Sequence, residues 1–231
     1  MPNYPQAAPQ GRAFGVESPV NGKRLQGLQG TLTLPPASLG VVAFAHGSGS
    51  SRHSPQNTFV ARVLADAGIG TLLFDLLTMT EDSDYATRFD IPLLSSRLIG
   101  ATEWLTRQNA VAGLPLGYFG ASTGAAAALV AAAELGSRVS AVVSRGGRPD
   151  MAEAHALRRV TAPTLLIVGG EDPTVMRLNR DAYAQLTCDK VLEIVPGATH
   201  LFEEPGTLEA VAALAAEWFR RYLTVYARSP G

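Results

Sequence analysis

Six short, continuous apolar runs punctuate the chain, and most are separated by longer stretches whose apolar residues recur at helical spacing. No other feature of the sequence constrains the fold as much. The runs span 41–45, 71–74, 116–119, 141–144, 164–168 and 191–195. They do not alternate polar with apolar, which is the pattern of strands covered on both faces. Helical spacing covers 58–67, 93–108, 122–135, 151–159, 175–186 and 207–223. This order predicts an α/β architecture, a doubly wound and mostly parallel sheet with helices on both faces. A strand at 28–34, paired with 14–18, is expected to precede it. Residues 1–12 read as a loose tail, 13–226 as a single domain and 227–231 as a second tail.

Composition removes several functional classes. With 46% hydrophobic and 17% charged residues in 231, the chain suits one well-filled core and argues against disorder. A formal net charge of -1 gives no field to attract nucleic acid or an anionic membrane, so neither is an expected partner. The lone cysteine, Cys188, allows no internal disulfide and reads as a small buried apolar side chain. The first residues lack the basic start and apolar run of a signal peptide, and no segment approaches the roughly 20 apolar residues of a membrane span. A cytoplasmic location is expected. No glycine pattern of a dinucleotide or phosphate loop and no zinc-ligand spacing is present, so no cofactor and no metal are expected.

In sheets of this kind the reacting groups gather in loops beyond the carboxyl ends of the strands. Gly120-Ala121-Ser122-Thr123-Gly124 directly follows the run 116–119 and opens a helix of small residues. The pentapeptide alone is weak evidence, because an N-capping serine in a glycine-rich turn looks similar. Its strand-turn-helix setting is that of a nucleophile elbow. The turn strains the serine backbone, and glycine at 120 and 124 removes clashes with neighbouring chain. Ser122 is thus the candidate nucleophile. The backbone N–H of Thr123, at the positive end of the helix, is a candidate oxyanion donor.

A serine hydroxyl needs a base, and the base needs an orienting acid. In this elbow fold the chain order is serine, acid, histidine. Of His46, His53, His155 and His200, only the last two follow Ser122, and His155 falls inside a predicted helix. His200, in the loop after the run 191–195, is the candidate base. Asp172, across the turn Gly169-Gly170 from the strand 164–168, is the candidate acid, with Asp150 as runner-up and Glu171 expected to be solvated.

The loop after the first of the six runs, His46-Gly47-Ser48-Gly49, can aim a second N–H at a carbonyl oxygen. Ser48 is the preferred donor, with Gly47 and Gly49 as alternatives. His46 has a reading as a second base but is expected to brace the loop. Arg52 and His53 either meet an anionic substrate or sit in a solvated loop. Arg145, after another strand, either holds a substrate carboxylate or pairs with a loop acid such as Asp150.

The segments HGSGSSRHSPQN, GYFGASTGAAAALVAAA, VVSRGGRPD, APTLLIVGGEDPTV and VPGATHLFEEPG resemble the dienelactone hydrolase-like branch of the α/β-hydrolases. Within that branch they look most like small hydrolase domains that in some proteins are fused to phosphoribosyltransferases. The likeness runs from about residue 28 to 223. It implies the α/β-hydrolase fold, a Ser122–Asp172–His200 triad and an acyl-enzyme route. The name-giving enzymes use cysteine where this chain has Ser122, which points to carboxylic-ester hydrolysis rather than dienelactone turnover. The short interval between the strands at 141–144 and 164–168 leaves no room for a large lid, so small or short-chain esters are the expected substrates. Lactones and thioesters share the same first half-reaction. The expected partner is such a small molecule, met by a monomer or homodimer. A binding module or an acyltransferase on the same fold is the competing reading.

Overall fold

The computed structural model describes residues 28–226; the expected tails (1–12 and 227–231) and the strand expected at 14–18 lie outside them. Among the described residues, seven strands form one sheet. They are β1 (Gly30–Thr33), β2 (Val41–Ala45), β3 (Gly70–Phe74), β4 (Leu116–Ala121), β5 (Ala141–Arg145), β6 (Thr164–Gly169) and β7 (Lys190–Val195). Their order is β1-β3-β2-β4-β5-β6-β7, with β1 antiparallel to β3 and every other pairing parallel. The helices are α1 (Pro55–Asp66), α2 (Met79–Asp82), α3 (Ile91–Thr106), α4 (Thr123–Leu135), α5 (Ala154–Arg159), α6 (Pro173–Gln185) and α7 (Thr207–Tyr226).

The continuous apolar runs become strands because both faces of the sheet are covered. Along β2, Val41, Ala43 and Ala45 enter one core while Val42 and Phe44 enter the other. Helices α3, α4, α5 and α6 supply the first core, and α1 and α7 supply the second. Phe44 and Phe119 meet in the second core with ring centroids 4.9 Å apart at a tilted angle, worth about 0.5–1.5 kcal/mol beyond burial alone. Tyr118, wholly buried in the first core, shares a 2.5 Å hydrogen bond with Thr102, which satisfies both hydroxyls away from water.

Sheet order fixes where a site can form. The chain leaves β2 for β3 on one side and later returns to place β4 on the other. The helices that follow β2 and β4 therefore cover opposite faces, and their loops part to leave a crevice at the carboxyl ends of these two strands. Between β5 and β6 the chain holds only a 3₁₀ turn, Pro149–Met151, and α5, with no large lid. No helix of the described residues is long and apolar enough to cross a membrane.

Several boundaries differ from expectation for local reasons. Helix α1 starts at Pro55 rather than 58, because Ser54 caps it by accepting from the Asn57 N–H and proline suits a first turn. Helix α6 likewise starts at Pro173, behind Asp172. The four-residue α2 was not expected, being too short for a periodic signal. Its capping box was legible nonetheless: Thr78 accepts from the Glu81 N–H while Glu81 reaches back to the Thr78 N–H.

Candidate active site

Ser122 joins β4 to α4 with φ at 51° and ψ at -120°. A non-glycine residue held there costs about 1–3 kcal/mol, so its surroundings must over-determine it. The Ser122 N–H donates to the Arg145 carbonyl at 3.2 Å, and its own carbonyl accepts from the Ala125 and Arg148 N–H groups, each at 3.1 Å. Neighbouring backbone leaves no room for side chains on either side. A Cβ on Gly120 would stand 2.5 Å from Ala125 Cα, and one on Gly124 would stand 2.1 Å from the Ala45 carbonyl oxygen.

The end of β6 carries Asp172 and the loop after β7 carries His200. Asp172 Oδ1 caps α6 by accepting from the Val175 N–H at 3.2 Å, which leaves Oδ2 to face His200 Nδ1 at 2.8 Å. Gly169 lets the two segments press together, since a Cβ there would meet the Ala198 carbonyl oxygen at 2.3 Å. Asp150 is occupied elsewhere: Arg148 forks onto it with two 2.8 Å bonds. Glu171 is exposed, and so is His155, which pairs with Glu153.

Ser122 and His200 line one cavity of about 260 Å³ together with Gly47, Ser48, Asn57, Arg145 and Leu201. They share it without a direct hydrogen bond; such pairs commonly tighten only in the substrate complex. Thr123 opens α4, so its N–H has no partner within the helix. Gly47 abuts Ser122, with a notional Cβ 3.1 Å from Ser122 Cβ, and Ser48 follows it at the cavity wall. The two segments that would supply oxyanion donors thus flank Ser122.

His46 lies beside this cavity rather than in its wall. It is buried, its Nδ1 donates to the Gly47 carbonyl at 2.9 Å, and its Nε2 accepts from the Leu76 N–H at 2.9 Å. Both ring nitrogens are committed to bracing the loop, which leaves neither for a second base. Burial holds its pKa below the usual 6.5. Arg52 is drawn away from Ser122 by an ion pair with Asp75 and a 3.1 Å bond to Gln29, so it borders a neighbouring cavity instead. Arg145 does reach the Ser122 cavity, and its expected alternative partner, Asp150, is taken by Arg148. Asn57, buried at the start of α1, joins the wall although sequence reasoning passed over it. The expected helix began one residue later, so its place on a buried helix face was hidden.

The family described as alpha/beta hydrolase domain matches residues 39–215. The chain belongs to the α/β-hydrolases. Its place is in the dienelactone hydrolase-like branch: a crystal structure of a dienelactone hydrolase from Anabaena variabilis is 56% identical, with a TM-score of 0.84 over 93% of this chain and 99% of that one. Est1E from Butyrivibrio proteoclasticus shares the fold at 16% identity, with a TM-score of 0.75 over 91% of this chain and 98% of that one. A Mycobacterium tuberculosis protein of strain H37Rv, provisionally named a phosphoribosyl transferase, is 61% identical over 194 residues, 84% of this chain and 44% of that protein. The chain therefore spans less than half the length of the curated relatives it matches.

Two outcomes follow from this geometry. Gly124→Ala forces a methyl into the Ala45 carbonyl and lowers stability by about 1–3 kcal/mol or more in urea titrations; a stable, unshifted variant would contradict the contact. As pH falls through about 6.5, the unfolded chain takes up a proton on His46 that the folded protein resists, so stability declines. His46→Gln flattens that decline below about pH 6.5, and an unaltered slope would show that His46 does not cause it.

Proposed function

We propose that the chain hydrolyses small carboxylic esters through an acyl-enzyme on Ser122. One observation carries the reading: the 2.8 Å Asp172–His200 pair opens onto the same cavity as a strained serine at a helix N-terminus. Ser122 Oγ attacks the ester carbonyl carbon while His200 Nε2 takes its proton. Asp172 accepts from His200 Nδ1–H, fixing the tautomer and favouring the imidazolium that forms. The N–H groups of Thr123 and Ser48 stabilise the negative carbonyl oxygen. The intermediate collapses, and the alkoxide leaves with the proton from His200. Water then repeats the sequence on the acyl-enzyme, freeing the acid and Ser122. No cofactor enters the route.

The small cavity and the short interval between β5 and β6 favour short-chain substrates. Lactones and thioesters fit the same steps. The name of the Anabaena dienelactone hydrolase supports ester chemistry, a lactone being a cyclic ester. We read the transferase name of the mycobacterial relatives as belonging to the part of those proteins outside the matched segment.

A fluorophosphonate probe labels the wild-type protein, and p-nitrophenyl acetate is turned over. Ser122→Ala abolishes the label and lowers kcat by about 10⁴-fold or more, and Asp172→Asn lowers it by about 10⁴-fold. Labelling that survives Ser122→Ala would remove Ser122 from the mechanism.

A further inference from the structure

Ser122 and Asp172 each stand at the cap position of a helix, α4 and α6, whereas His200 lies in the loop between β7 and α7. Its side chain is 38% exposed, so packing does not fix the ring. A reacting group must keep within about 0.5 Å of its productive place, and a displacement of about 1 Å costs about 10²-fold in rate. Something in the loop itself must therefore hold the imidazole.

Two buried apolar residues, Ala198 and Phe202, root this stretch in the second core. Phe202 has φ at 56°, a left-handed conformation that a non-glycine residue keeps only where its surroundings enforce it. Glu204 ties the stretch from the solvent side. Its Oε2 accepts from the Thr199 N–H at 3.1 Å, and its Oε1 accepts from the Thr199 hydroxyl at 2.6 Å. Both carboxylate oxygens are thus spent on the residue directly before His200, and the ring 199–204 closes around the histidine. Bonds to an ionised carboxylate are stronger than neutral ones, and these hold the Glu204 carboxyl below its usual range. The clasp therefore stays closed at every pH where an imidazole is neutral enough to act as a base. The Glu204 carbonyl in turn accepts from the Thr207 N–H at 3.1 Å and the Thr207 hydroxyl at 2.7 Å, which anchors the clasp on the first turn of α7. On the opposite side Gly146 presses on the loop, with a notional Cβ 3.2 Å from the His200 carbonyl oxygen.

We infer that Glu204 is a positioning residue for the general base: by clasping Thr199 it fixes the main chain on both sides of His200 and keeps the imidazole on Asp172 and in the Ser122 cavity. This rests on the hydrolase reading above and adds a residue to that same site. Glu204 touches neither the substrate nor the imidazole. It acts through Thr199, so that the side-chain torsions of His200 are the only freedom left to the ring, and the 2.8 Å bond to Asp172 restrains those. An exposed carboxylate thereby does for the histidine what the tight glycine turn does for the serine.

Kinetics with p-nitrophenyl acetate and proton NMR of the same variants test the inference. Glu204→Ala, which opens the clasp, lowers kcat by about 10- to 100-fold while KM changes by less than about threefold. Glu204→Gln, whose amide still accepts from the Thr199 N–H and donates to its hydroxyl, recovers most of the loss. Thr199→Val removes the hydroxyl bond alone, falls between Glu204→Ala and wild type, and serves if Glu204→Ala does not fold. The His200 Nδ1–H on Asp172 gives a downfield proton resonance, assigned by its loss in His200→Gln. This resonance broadens through exchange with water in Glu204→Ala and sharpens again in Glu204→Gln. A contact that only stabilises the fold would shift the urea midpoint and leave both kcat and the resonance of the folded variant as in wild type, which overturns the positioning role. The resonance also separates the two levels of the reading. Its broadening in Glu204→Ala supports the clasp even if no ester is cleaved, and an unchanged resonance overturns the clasp even if Ser122 is the nucleophile.

Discussion

A serine held in left-handed backbone conformation between two strands and a helix is the constraint on which the rest of the site depends. The conformation is unfavourable by about 1–3 kcal/mol and is held by Arg145 at the end of β5, which takes its N–H, and by Ala125 and by Arg148 in the turn after β5, which donate to its carbonyl. Close approach of α4 to β2 then follows, with the Gly124 position pressed on the carbonyls of Ala45 and His46. That approach brings the 47–48 loop against Ser122. One strained residue thereby sets the separation of three segments distant in sequence.

The charges of the site are arranged so that each has one task. His46 stays neutral because burial opposes its proton and both ring nitrogens are engaged in the loop. His200 is half open to solvent and holds Asp172, so its other nitrogen is free to exchange protons with a reacting group. Arg148 removes Asp150 from competition for either Arg145 or His200.

The sheet and the residues that gather at the candidate site were legible in the sequence because each leaves a covalent trace. Strands covered on both faces must be apolar throughout, so 41–45 and 116–119 announce β2 and β4. The turn at Ser122 needs glycine at 120 and 124, so that serine is marked by its neighbours rather than by itself. Asp172 and His200 were found by chain order and strand ends. What escaped has no such trace. Arg145 and Asp150 are near in sequence, yet a closer arginine, Arg148, wins the acid, and only side-chain geometry decides between them. Arg52 could be seen as a loop cation but not as the partner of Asp75, which arrives from the end of β3. Asn57 was lost through a boundary error of a few residues, since a polar residue on a buried helix face signals something only once the helix is known to include it.

This difference has a physical origin that bears on how members of such a family diverge. The Ser122 turn and its close contact with the 47–48 loop rest on backbone geometry, which few residues can satisfy. Asn57, Arg145 and Leu201 instead meet the cavity through their side chains, from α1, β5 and the His200 loop. Their backbone needs no special φ, so exchange at these positions changes what enters without disturbing the elbow, apart from the packing each side chain supplies. Arg145 stands where the two regimes meet: its carbonyl holds Ser122 whatever its side chain is, while its guanidinium faces the cavity. A substitution there keeps the main-chain clamp on Ser122 but removes, with the charge, the guanidinium's contacts to the Leu201 carbonyl and the Phe202 ring.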